Sequence, residues 1–337
     1  MKAPVHVLFP IVLFVSSAVL PAAPFAFRSN DRVVLVGNTV IERAQRFGHL
    51  ETMLQLGAGV EAEGVTFRNI GWSGDSVFGD ARSYFGAPKE GRDRLQRVVK
   101  EVRPTVLMVC YGTNAAMSAT KGWTDDPAGS ARSKGGDEES RKLFVETYGK
   151  FLDLMVSGAG TELREVVLIS PPPLENLGHP LPDQSANNAR LATYRDAVRD
   201  LANTRGHRFL DLFAGMGGNK LKAGKRSPGP LTMNGMHYGE AGYEVIGKAM
   251  VAGLGLNLPQ NLSANDPAVV ALRKSIMEKN RLFFHRWRPA NETYLFLFRK
   301  HEQGNNAREI PMFDPLIGQE EQKVEKLRAV VFDKLER

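Results

Sequence analysis

Arg32-Val33-Val34-Leu35-Val36-Gly37-Asn38-Thr39-Val40-Ile41 begins as an aliphatic, β-branched run, breaks at Gly-Asn-Thr, and continues into apolar residues at helical spacing. A short apolar run stopped by Gly and Asn reads as a buried strand. Asn or Thr just ahead of a periodic stretch reads as a helix cap. The stretch is therefore a strand, a tight turn and a helix start, with the Thr39 hydroxyl exposed at the sheet's edge.

Four more runs of the same kind follow, at residues 65–70, 105–111, 166–170 and 207–212. Between and after them, residues 41–56, 92–102, 139–156, 188–204 and 240–254 carry apolar side chains at helical spacing, as in Phe144, Tyr148, Phe151, Leu152 and Met155. Strands that alternate with helices and are apolar throughout predict a parallel sheet covered on both faces. The expected fold is a three-layer α/β sandwich with a five-stranded parallel sheet of the flavodoxin-like kind. Ligands of such sheets bind beyond the carboxyl ends of the strands. Three long loops, 116–137, 171–186 and 214–233, read as binding loops, lids or irregular surface.

The amino end has Lys2, an apolar run from Val5 to Val19, and the small-residue stretch Leu20-Pro21-Ala22-Ala23-Pro24-Phe25-Ala26. That pattern is a secretory signal peptide, expected over residues 1–26, and it predicts a secreted or periplasmic protein. The run is too short and too broken by proline for stable membrane insertion. The lone cysteine, Cys110, lies inside a strand and is expected to behave as a small apolar residue. The formal charge is +7, spread along the chain without an aromatic-basic array, so a nucleic-acid partner is not expected. No paired His or Cys spacing suggests a metal site, and Gly57-Ala58-Gly59 is a helix stop rather than a phosphate loop.

Five segments stand at the predicted strand ends: Gly37-Asn38-Thr39, Asn69-Ile70-Gly71-Trp72-Ser73-Gly74-Asp75, Gly112-Thr113-Asn114, Ser170-Pro171 and Asn234-Gly235-Met236-His237. Singly, they are ordinary turns and caps. Together and in this order, over residues 32 to 254, they resemble the SGNH (GDSL-type) hydrolases. The resemblance implies a Thr39 nucleophile, a His237 base oriented by Asn234, and an oxyanion hole from the amides of Thr39 and Gly74 with the Asn114 side chain. It also implies no cofactor. Three positions depart from the family's pattern, which has Gly-Asp-Ser in the first segment and Asp-x-x-His in the last: Asn38, and the two candidate catalytic positions Thr39 and Asn234. Threonine adds a methyl group that crowds attack on a carbonyl, and asparagine holds an imidazole without a compensating charge. Asp211, at the end of the fifth run, is a candidate substitute carboxylate, set against a plain turn role.

The expected organisation is a signal peptide over 1–26, an SGNH-like hydrolase domain over 30–256, and a helical extension over 257–337 packed on that core. In the extension, Arg286, Arg288, Asn291, Glu292, Arg299, His301, Glu302 and Gln303 cluster around aromatic residues. They read as a salt-bridged face closing the contact with the core, or as a polar set facing its cleft. With the signal pattern and the Thr39 and Asn234 departures, the resemblance implies an exported ester hydrolase of reduced activity, acting on a small-molecule or carbohydrate ester such as an acetylated sugar. Two other readings keep the same residues: a non-catalytic ligand- or carbohydrate-binding protein, and a lipid or thioester hydrolase.

Overall fold

The computed structural model describes residues 23–84, 86–117, 137–222 and 229–335. The expected signal segment falls almost wholly outside them. The chain runs β1 (Arg32–Gly37), α1 (Thr39–Phe47), α2 (His49–Gly57), β2 (Thr66–Asn69), α3 (Pro88–Val102), β3 (Val106–Cys110), α4 (Thr113–Met117), α5 (Asp137–Ala159), β4 (Glu165–Ile169), α6 (Ser185–Thr204), β5 (Arg208–Leu210), α7 (Leu212–Gly215) and α8 (Glu240–Gly253). Four helices follow: α9 (Pro267–Trp287), α10 (Glu292–Leu295), α11 (Lys300–Gln303) and α12 (Phe313–Leu335). The five strands form one sheet of order β2-β1-β3-β4-β5, and every pairing is parallel.

The two-residue period of the strands divides the core. Val34, Val36, Leu107, Val109 and Leu168 face α3, α5 and α6, where Val99, Phe144, Tyr148, Phe151 and Leu191 pack. Val33, Leu35, Val106, Met108 and Ile169 face the opposite layer, with Leu50, Met53, Tyr243 and Ile246 from α2 and α8. Each fully buried aliphatic side chain contributes roughly 1.5–3 kcal/mol, so this double burial dominates the stability of the sheet. Phe25 belongs to the second layer; it is buried and meets Phe27 edge to face.

The expected single helix over residues 41–56 is two helices. Gly48 interrupts it in the left-handed region (φ 70°), accepted there because glycine lacks a Cβ. A Cβ at this position would also lie 2.8 Å from the Met277 side chain, so the break lets α9 approach closely.

α9 and α12 pack on each other, and Val269, Leu272, Ile276, Val324 and Val331 enclose Leu56 between them and the core. Lys279 on α9 is fully buried: its ammonium donates to Glu51 Oε1 (2.7 Å) and to the Phe67 carbonyl of edge strand β2 (2.9 Å). Asn280 donates to the other Glu51 oxygen at 2.8 Å. The edge strand is thereby covered instead of open to another chain.

Candidate active site

The five motif segments come together because a parallel sheet puts all its strand ends at one edge. Asn38 follows β1 and caps α1, its Oδ1 accepting from the Val40 amide at 3.2 Å, which leaves Thr39 as the first helical residue. The loop after β2 brings Gly74 alongside, and its N–H donates to the Thr39 hydroxyl at 3.1 Å. Gly74 has a φ of 79°, so glycine is the residue suited to that turn. Asn114, on α4 after β3, donates to the carbonyls of Gly74 (2.8 Å) and Asp75 (2.9 Å), bracing the same loop. Thr39, Asn114 and His237 line one narrow cleft, with Arg43, Pro172, Pro173 and Met236 among its other walls. Among the described residues no hydrogen bond joins Thr39 to His237 directly.

The histidine loop is held from below by a residue that no motif marks. Glu175 is buried and accepts from the amides of Leu231 (3.0 Å) and Thr232 (2.7 Å) and from the Thr232 hydroxyl (2.7 Å). Thr232 in turn accepts from the Gly235 amide at 2.9 Å. The Tyr238 hydroxyl donates to the Pro173 carbonyl, and burial raises its pKa well above the ordinary tyrosine value, with Glu175 adding to the rise.

Asn234 relates to His237 in a specific way. Its Oδ1 already accepts from the backbone amides of Met236 (3.2 Å) and His237 (2.9 Å). Its Nδ2 lies 3.0 Å from His237 Nδ1, while Oδ1 lies 3.2 Å from that nitrogen. An amide N–H aimed at Nδ1 favours the tautomer protonated on Nε2, whereas a general base needs Nε2 free. Asp211 does not fill the gap: it caps α7 through the Ala214 amide (2.9 Å), accepts from the Ser170 hydroxyl and pairs with Arg195.

The loop carrying Gly74 is clamped on two sides. Below it, Asp75 and Arg82 are both buried and bonded at 2.7 Å, and the Tyr111 hydroxyl donates to the same carboxylate oxygen. Burial pushes the Asp75 carboxyl above the usual carboxylate range, opposed by the charge of Arg82. Above it, Arg288 at the end of α9 lies 3.4 Å over the Trp72 ring and donates to Glu42 Oε2 at 3.1 Å. The same Glu42 oxygen accepts from the Ser73 amide. Trp287 meets Trp72 edge to face at 5.9 Å. The neighbouring polar residues bind elsewhere: Arg286 to Glu101 and Asp314, Glu292 to Arg94, and Arg299 to Glu302. Most of the extension's polar cluster thus closes the contact with the core or bonds within itself.

Among the described residues, no group of three His, Cys, Asp or Glu side chains is placed to hold a metal ion. None of the described helices is long and apolar enough to cross a membrane. A larger groove of about 880 Å³, bounded by Glu51, Lys279 and Glu321, lies by the β2 edge and contains none of the motif residues.

The fold is similar to that of Axe2, an acetylxylan esterase from Geobacillus stearothermophilus (TM-score 0.46, 16% identity, 69% of this chain and 98% of that one). It is also similar to LAE5, an α/β hydrolase enzyme from the metagenome of Lake Arreo, Spain (TM-score 0.46, 20% identity, 68% and 97%). Among curated proteins no sequence relative matches the chain. The sequence profile of the GDSL-like Lipase/Acylhydrolase family matches residues 42–245, which begins just past Thr39 and spans more than half of the chain. The chain therefore belongs to the GDSL-like lipase/acylhydrolase family.

Proposed function

We propose that the protein hydrolyses short-chain esters, with acetylated carbohydrates as the substrate class. The observation that carries this reading is the shared cleft of Thr39, Asn114 and His237, with the Gly74 amide 3.1 Å from the Thr39 hydroxyl. In the proposed reaction Thr39 Oγ1 attacks the ester carbonyl carbon and His237 Nε2 takes its proton. The tetrahedral oxyanion is received by the backbone amides of Thr39 and of Gly74, whose N–H leaves Thr39 Oγ1 as that oxygen attacks, and by the Asn114 side-chain amide once it turns from the Gly74 and Asp75 carbonyls. Collapse expels the alcohol, which takes the proton back from His237, and water then releases the acid from Thr39 by the same steps. The base form of the imidazole requires its proton on Nδ1, donated to Asn234 Oδ1. The small volume of the cleft and its mixed polar walls support a short acyl group and a polar alcohol.

The same proposal takes the protein as exported. Phe25 is packed in the core beneath Arg208, so a cut removing the leader falls ahead of Phe25 rather than after Ala26; amino-terminal sequencing of the exported protein checks it.

A binding protein on this fold is the second reading. It is favoured by the Asn234 Nδ2 group facing His237 Nδ1 at 3.0 Å. Turnover of p-nitrophenyl acetate by the wild type, Thr39→Ala and His237→Ala separates the two. Hydrolysis requires each variant to fall about a hundredfold or more. Equal background rates in all three proteins leave the binding reading in its place.

A further inference from the structure

Among the described residues, Arg43 is the one guanidinium that lines the cleft. It lies four residues after Thr39 on α1, hence one helical turn along the same face. It is half-buried, its Nε is buried without a hydrogen-bond partner, and its guanidinium acts on the Tyr243 hydroxyl both by charge and by a hydrogen bond. That hydroxyl is neutral and donates to the Val40 carbonyl at 2.7 Å. The carboxylates around the site are engaged elsewhere. Glu42 holds Ser73 and Arg288, Asp75 holds Arg82 and Tyr111, Glu175 holds Leu231 and Thr232, and Glu240 pairs with Arg273. Among the described residues Arg43 therefore has no carboxylate partner. A partly desolvated cation beside a ligand cleft, with no acidic neighbour to neutralise it, has unspent capacity for an anion, and the planar guanidinium fork fits a carboxylate.

We propose that Arg43 forms a subsite for a carboxylate carried by the ester substrate, so that the preferred substrates are acidic esters, such as the acetyl ester of a uronic acid. This rests on the ester-hydrolase reading for turnover, but the binding preference stands independently of it.

The test compares 4-acetoxybenzoate, which carries a carboxylate on the alcohol part, with its neutral methyl ester. It likewise compares p-nitrophenyl hemisuccinate, with a carboxylate on the acyl part, with p-nitrophenyl acetate. In the wild type one acidic member should exceed its neutral partner about tenfold in kcat/KM, the scale of one charged hydrogen-bonded pair. Which pair does so locates the subsite on the alcohol or the acyl side. Arg43→Gln should bring that ratio close to one, Arg43→Lys should restore part of it, and added salt should shrink it. A ratio near one in the wild type, or a ratio that survives Arg43→Gln, overturns the proposal. Equal losses on acidic and neutral esters in both Arg43 variants also overturn it, since they mark a general packing role. If no ester turns over, the hydrolase reading has failed by itself. Calorimetric titration of the wild-type protein with 4-acetoxybenzoate and its methyl ester then decides the subsite: tighter binding of the acid, lost in Arg43→Gln, supports it, and equal binding overturns it.

Discussion

Thr39 and Asn234 each differ from the family's residue by one group, and in the proposed mechanism the two changes act on different steps. The methyl of threonine crowds the attacking oxygen. The amide of Asn234 acts on the base, because Nδ2 lies nearer to His237 Nδ1 than Oδ1 does (3.0 against 3.2 Å). In a Ser-His-Asp triad, Asp→Asn lowers turnover by about four orders of magnitude through the wrong tautomer, which bounds what the reverse exchange can restore. Asn234→Asp should raise turnover of small acetyl esters tenfold or more, and Thr39→Ser should add a smaller gain. Their combination should exceed the product of the two, because nucleophile and base act as a unit. Steady-state rates of the four proteins on p-nitrophenyl acetate check this, and a double variant that folds normally yet stays at background counts against hydrolysis. These positions are legible in the sequence because each sits in a contiguous turn at a strand end. Arg43 and Glu175 are not, because their importance comes from packing: one is left without an acidic neighbour, and the other is buried under a loop more than fifty residues later in sequence.

The central strands β1, β3 and β4 are legible in the sequence because a parallel strand buried on both faces is a nearly continuous apolar run, whereas the edge strands β2 and β5 carry Arg68 and Arg208. The division of the 41–56 stretch into α1 and α2 is not, since Gly48 looks like an ordinary interior glycine until α9 is laid against it. The end of α9 is only partly legible: Arg288 stands out in the sequence as one of a polar cluster for the contact with the core or its cleft, but its partners Trp72 and Glu42 emerge only from the fold. Through Glu42 and the Ser73 amide it fixes the turn that presents the Gly74 N–H. If Gly74 is the proposed oxyanion donor, Arg288 is a positioning residue. Arg288→Ala should lower kcat on p-nitrophenyl acetate three- to tenfold with KM close to wild type, the pattern of a misplaced oxyanion donor. A variant that loses only thermal stability, with kcat intact, would show the contact to be structural alone.

At the scale of the whole molecule, the carboxy-terminal helices join the core through groups that titrate. Arg273 on α9 donates to His49 Nε2 at 2.7 Å, a bond that needs a neutral imidazole. His49 accordingly sits below the ordinary histidine value, first through burial and then through the Arg273 charge. His207 is lowered too, by burial and by Arg205. A histidine held below its unfolded value binds fewer protons when folded. Its contribution is therefore complete above about pH 6.5 and is lost as the pH falls through that value toward the folded pKa. The urea midpoint should drop between about pH 7.5 and 5.5, and His49→Gln should flatten part of that slope; an unchanged slope would place the acid sensitivity elsewhere. The sequence hints at this contact only as a charged, aromatic-rich tail, since its partners lie far away along the chain. The consequence concerns portability. A protein trimmed at residue 245, where the family match stops, would keep every motif residue. It would also leave Glu51 as a carboxylate stripped of Lys279, bare the apolar cover of Leu56, and free the Trp72 turn from Arg288. The recognisable span is not an interchangeable cassette, and transplanting it alone would carry the motif residues without the contacts that hold their loops.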